Sequence, residues 1–62
     1  MNSIELKKKL QEMASKNNTY SKEVYNGIID TIMNRYMTIA DYMEEKALAT
    51  MQGFIDGGIL AW

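Results

Sequence analysis

The stretch from Tyr25 to Phe54 constrains this chain most, because its apolar residues keep the phase of a single α-helix over its whole length. At ~100° per residue, the apolar side chains fall in one narrow sector and polar side chains fall opposite. The sector holds Tyr25, Ile29, Ile32, Tyr36, Ala40, Met43, Ala47 and Phe54. The opposite face holds Asp30, Asn34, Asp41, Glu45 and Gln52. This pattern predicts an all-α protein.

The residues before this stretch predict a short amphipathic helix over about residues 3–15. Asn2 is a suitable N-cap, and Glu5 follows at the position where a capping box places a carboxylate. The apolar stripe of this helix is narrow and consists of Leu6, Leu10, Met13 and Ala14. Asparagine tolerates the left-handed conformation that ends helices, so the polar segment 16–19 predicts a break. Ser21 is the expected N-cap of the next helix.

We expect the second helix to be long, covering about residues 22–56. The segment from Thr38 to Asp41 matches a capping box, so the helix could stop and restart near Thr38. No Gly or Pro lies close to Thr38, however, and the apolar phase passes through it undisturbed. A continuous helix about 50 Å long, paired with the first helix in a helical hairpin, is therefore the favoured interpretation.

The apolar arc of the long helix covers more than half of its circumference, which exceeds what one neighbouring helix can cover. The first helix, about 18 Å long, would shield less than half of it. We therefore expect two hairpins to dimerise into a helical bundle. The expected dimer or core seam is Tyr25, Ile29, Ile32, Tyr36, Met43, Ala47, Met51 and Phe54. If the chain breaks near Thr38, a three-helix monomer is the alternative.

The composition excludes several classes of function. The chain has 62 residues with neither Cys nor His, so we expect one domain over residues 1–62 with no disulfide, zinc site or bound cofactor. Asp41, Glu44 and Glu45 are interpreted as a solvated helix face and not as a metal site or catalytic group. We expect no enzymatic activity. The absence of Cys fits the cytoplasm, and no apolar run approaches the length of a membrane span.

The charge is distributed unevenly and supports an alternative function. Residues 1–25 carry a net +2 and residues 26–62 a net −3. A small DNA-binding regulator could use the basic N-terminal part, whose lysines are Lys7, Lys8, Lys9, Lys16 and Lys22. The acidic remainder of the chain would repel phosphate, so nucleic-acid binding is the less favoured hypothesis.

Protein–protein binding has positive support, because six Met and four Tyr are many adaptable contact residues for so short a chain. Tyr42 lies on the polar side of the wheel, where an intramolecular core does not readily explain it. In being short, rich in Asn and Lys, and free of Pro, the chain resembles small accessory proteins of phages and mobile elements. Such proteins often act by binding and blocking a host protein. Together with the dimer expected from the apolar arc, this predicts a homodimeric regulator or inhibitor of a host protein, such as a defence or nucleic-acid-handling factor. The expected partner-binding residues are Tyr20, Asp41, Tyr42, Glu44, Glu45 and Trp62.

Overall fold

The computed structural model describes residues 2–57, which form three helices and no strand: α1 (Ser3–Ser15), α2 (Lys22–Thr38) and α3 (Glu44–Gly57). The first two helices begin at the predicted caps. The Glu5 N–H donates to Asn2 Oδ1 at 2.9 Å, and the Val24 N–H donates to Ser21 Oγ at 3.3 Å. Both side chains satisfy amide groups that have no partner inside the first turn of a helix.

The continuous helix over residues 22–56 was the wrong choice between the two interpretations. Ile39 leaves the helical region, with φ −108° and ψ 115°, and α3 starts only at Glu44. Thr38 does not act as an N-cap, because its hydroxyl donates back to the Asn34 carbonyl at 2.7 Å. The turn over residues 39–43 has its own hydrogen bonds, from the Tyr42 N–H to the Ile39 carbonyl at 3.0 Å and from the Met43 N–H to the Asp41 carbonyl at 3.1 Å.

The break is favourable because it lets α3 fold back on α2. The turn costs little in backbone hydrogen bonding, because the N–H groups of Ile39, Tyr42 and Met43 all find carbonyl acceptors within or beside it. Each hydrogen bond contributes only about 0.5–1.5 kcal/mol net. Burial of Met51 or Phe54 contributes about 1.5–3 kcal/mol each, and both side chains are buried against the other helices. The shared apolar phase of α2 and α3 is therefore a property of their sequences and not evidence that the backbone helix continues.

Each helix contacts both of the others, and all three contribute to one core. This is the three-helix arrangement named above as the alternative to the hairpin. Within residues 2–57, every buried side chain is a hydrophobic one. The buried residues are Leu6, Leu10, Ala14, Tyr25, Ile28, Ile29, Ile32, Met33, Ala47, Met51 and Phe54. The wide apolar arc of α2 is thus covered from two sides, by α1 and by α3.

Two methionines offer a matched test of this core. Met51 is fully buried in α3, whereas Met37 is 70% exposed near the end of α2. We expect Met51→Ala to lower the free energy of unfolding by about 2–5 kcal/mol, because it leaves a cavity. We expect Met37→Ala to change it by less than about 0.5 kcal/mol. Urea unfolding followed by circular dichroism measures both values, and equal effects would contradict this packing.

The break between α2 and α3 can be tested with a single distance. The chain has no Cys, so spin labels attach only at the exposed sites of a Lys22→Cys/Asp56→Cys double variant. The bundle predicts a distance within about its 30 Å longest dimension, whereas a continuous helix predicts about 50 Å. Pulsed dipolar spectroscopy measures it. Each single-cysteine variant controls for distances between molecules, and a dominant long distance would restore the continuous helix.

Candidate functional site: the α2–α3 corner

The chain reversal between α2 and α3 exposes apolar side chains at one end of the bundle. Met37 is 70% exposed, Ile39 49% and Met43 62%. These residues and the exposed carboxylates of Asp41 and Glu45 are called the α2–α3 corner below. A single exposed apolar side chain needs no explanation, but three within residues 37–43, at the end of α2 and in the turn after it, are a concentration of exposed apolar side chains of the kind found at interaction sites.

The corner carries negative charge. The segment from Met37 to Glu45 contains three carboxylates and no Lys or Arg. Glu44 is half-buried and reaches Lys9 of α1 at 3.9 Å, an ion pair of little energetic value at such exposure. A shallow depression of about 370 Å³ lies against Met43, Glu44 and Glu45. The corner therefore presents apolar side chains beside negative charge.

Tyr42 connects this corner to α3 by a hydrogen bond. Its hydroxyl lies 2.8 Å from Thr50 Oγ1, and the Thr50 hydroxyl in turn lies 2.7 Å from the Lys46 carbonyl. The ring is partly buried against the core. Intramolecular packing therefore explains Tyr42, and the sequence-based prediction that it does not was wrong. That prediction placed Tyr42 on the wheel of a continuous helix, whereas the residue lies in the turn and points back to α3.

The structure brings together four of the residues predicted to bind a partner, Asp41, Tyr42, Glu44 and Glu45, in or beside the corner. Tyr20 lies elsewhere, in the turn between α1 and α2. Its ring packs edge-to-face on Tyr25, with 6.0 Å between centroids and 71° between planes. Tyr20 is partly buried against the core. Trp62 lies outside the described residues.

The predicted seam residues occupy three different environments. Most are buried inside this one copy, and these are Tyr25, Ile29, Ile32, Ala47, Met51 and Phe54. Tyr36 is partly buried against the same core. Met43 is exposed and lies in the turn, one residue before α3 begins. A dimer therefore has to use surfaces other than most of this seam.

Sequence reasoning did not single out Met37 and Ile39 as surface residues. On a continuous wheel they fall on the flanks of the apolar arc, which is where core residues were expected. The signal that could have found them is the match to a capping box from Thr38 to Asp41, which indicated a break at the right place although Thr38 does not cap α3. Apolar residues next to a chain reversal lose the neighbours that a continuous helix face would provide, so that match also marks a site of exposure.

Lys7, Lys8, Lys9, Lys16 and Lys22 are all exposed. Among residues 2–57, no three acidic side chains converge in a way that could hold a metal ion. None of the three described helices has the length and apolar character that a membrane span requires.

Comparison with known protein families, curated protein sequences and solved structures gave no match.

The bond between Tyr42 and Thr50 can be measured with a double-mutant cycle. We expect Tyr42→Phe to lower the free energy of unfolding by about 1 kcal/mol, because it removes only the hydroxyl. Thr50→Val also removes the bond to the Lys46 carbonyl, so the cycle is needed to isolate the pair. A coupling of about 0.5–1.5 kcal/mol is expected from urea unfolding of the two single variants and the double variant. Additive effects on the free energy of unfolding would show that the Tyr42 and Thr50 side chains do not interact.

Proposed function

We propose that this chain is a small non-catalytic protein-interaction module that regulates or inhibits a protein partner. The observation that carries the proposal is the exposure of Met37, Ile39 and Met43 together at one chain reversal. Methionine is flexible and polarizable, so it adapts to a partner surface. The tight turn beneath these side chains limits the conformational entropy that binding would cost.

The chemistry of the corner suggests what kind of partner surface fits it. Asp41 and Glu45 flank the apolar side chains, so a complementary surface has an apolar hollow bordered by Lys or Arg. Surfaces that bind nucleic acid are rich in such residues. In this proposal the module occupies a basic surface on a defence or nucleic-acid-handling factor. The phage-like composition of the chain supports this class of target, and the cytoplasm is the compartment in which it would act.

The alternative function is a DNA-binding regulator, and the exposure of the five N-terminal lysines favours it. Lys9, however, lies close to the carboxylate of Glu44. At the start of α2, where a recognition helix would read bases, Lys22 is followed directly by Glu23. The acidic corner adds repulsion of phosphate. Protein binding is therefore the better-supported function.

Capture of host proteins on immobilised variants tests the proposal. Wild-type chain is compared with Met37→Ser/Met43→Ser, which makes the corner polar, and with Ile4→Ser, which changes an exposed apolar residue 69% accessible on α1. We expect a protein that wild type and Ile4→Ser retain and that the corner variant loses by at least about tenfold, which is about 1.4 kcal/mol. Both variants should keep the wild-type helix content.

Two results would contradict the proposal. Equal capture by the wild type and both variants would show that the corner does not bind the partner. Tight binding of duplex DNA, with an affinity that falls about 10³-fold or more between 50 and 200 mM salt, would favour the alternative function. Lys7→Gln/Lys8→Gln should then reduce the salt dependence, whereas it should leave protein capture unchanged if the corner is the binding site.

A further inference from the structure

A groove lies between α1 and α2, at the opposite end of α2 from the corner. Its volume is about 410 Å³, and the buried side chains Ala14, Tyr25 and Ile29 contribute to its lining. Amide side chains surround this apolar part, and Lys22 brings the only charge among the described lining residues. This α1–α2 groove is therefore a concave, apolar and slightly basic surface.

The corner has the complementary properties. It presents apolar side chains, chiefly Met37 and Met43, beside the carboxylates of Asp41 and Glu45. Asparagine and glutamine amides at the groove can donate hydrogen bonds to carboxylates or to turn carbonyls. Lys22 adds a positive charge at the groove, and Glu23, which follows it in the chain, is not one of the lining residues. The polarity and charge of the two surfaces are therefore complementary.

The two surfaces do not compete for space on one molecule. From Tyr25, which lines the groove, to Met37 in the corner, α2 extends about 18 Å. The bundle is 30 Å long, so the surfaces lie toward its two ends. One copy can therefore use its corner with one neighbour and its groove with another.

We propose that the α1–α2 groove of one copy receives the α2–α3 corner of a second copy, so that the protein associates head to tail. Such a contact is heterologous, because the two copies use different surfaces, and it leads to a closed ring or an open chain. The groove is small, so the contact is weak and association appears only at high protein concentration. Since a partner protein would use the same corner, it and a second copy exclude each other.

Two variants, each altered at one of the two surfaces, test this arrangement. The corner variant is Met37→Ser/Met43→Ser, and the groove variant is Lys22→Glu/Asn26→Glu, which places two negative charges at the groove. All four positions are exposed, so the fold should persist, and circular dichroism checks it. Sedimentation velocity from about 0.02 to about 2 mM should show wild-type mass rising with concentration, whereas each variant alone stays at the 7.1 kDa chain mass.

An equimolar mixture of the two variants gives the decisive result. The groove variant still has a corner and the corner variant still has a groove, so the mixture should form a species of twice the 7.1 kDa chain mass that grows no further. A charge-reversed pair supplies a second test: Lys22→Glu should abolish association and Asp41→Lys/Glu45→Lys on the other copy should restore it. Ile4→Ser should associate like wild type.

Three outcomes would overturn the inference. They are a wild-type protein that stays monomeric at about 2 mM, a groove variant that still self-associates, and a mixture of variants that stays monomeric. The second outcome would indicate a symmetric dimer through the corner. None of the three bears on capture of a host protein by the corner, so failure here leaves the proposed function to its own test.

Discussion

The core of this protein closes only because the chain reverses direction between Thr38 and Glu44. The apolar arc of α2 is too wide for one neighbour, and α1 is too short and too narrow in its apolar stripe to cover it. The reversal returns Ala47, Met51 and Phe54 to the side of α2 that α1 leaves open. The sequence has neither Cys nor His, so no disulfide replaces that contact, and within residues 2–57 α3 supplies the second neighbour of α2.

The same reversal explains why apolar side chains become exposed. Ile39 adopts an extended backbone, as a β-branched residue readily does, and the segment after it turns within a few residues. Met37 and Met43 lie on either side of this turn and lose the neighbours that a continuous helix face would give them. Burial of the α3 residues and exposure of the corner are consequences of one backbone event. A change that straightened the turn would therefore remove the surface and open the core together.

The sequence was sufficient to predict α1, both of the first two N-caps and the start of α2, because these depend on interactions within a few residues. It also identified the residues that face inward on α2 and α3, since apolar periodicity reports a buried face whether or not the backbone is continuous. It could not decide the break at Thr38, which depends on the gain from packing α3 against α1 and α2. Tyr42 was misassigned for the same reason, because its contact with Thr50 exists only after the turn forms. The α1–α2 groove likewise depends on how two helices sit against each other.

Intramolecular packing places little demand on the identity of the corner residues. A side chain as exposed as Met37 or Met43 contributes little to the core, and a polar residue there would keep more of the surface hydrated. The fold needs a turn at this place but not apolar side chains on it. Tyr42 and Thr50 already hold the turn with a polar contact, so the exposed methionines are not required for that task either. We propose that the exposed methionines serve a contact outside the chain, and the carboxylates beside them favour a partner surface that is both apolar and basic.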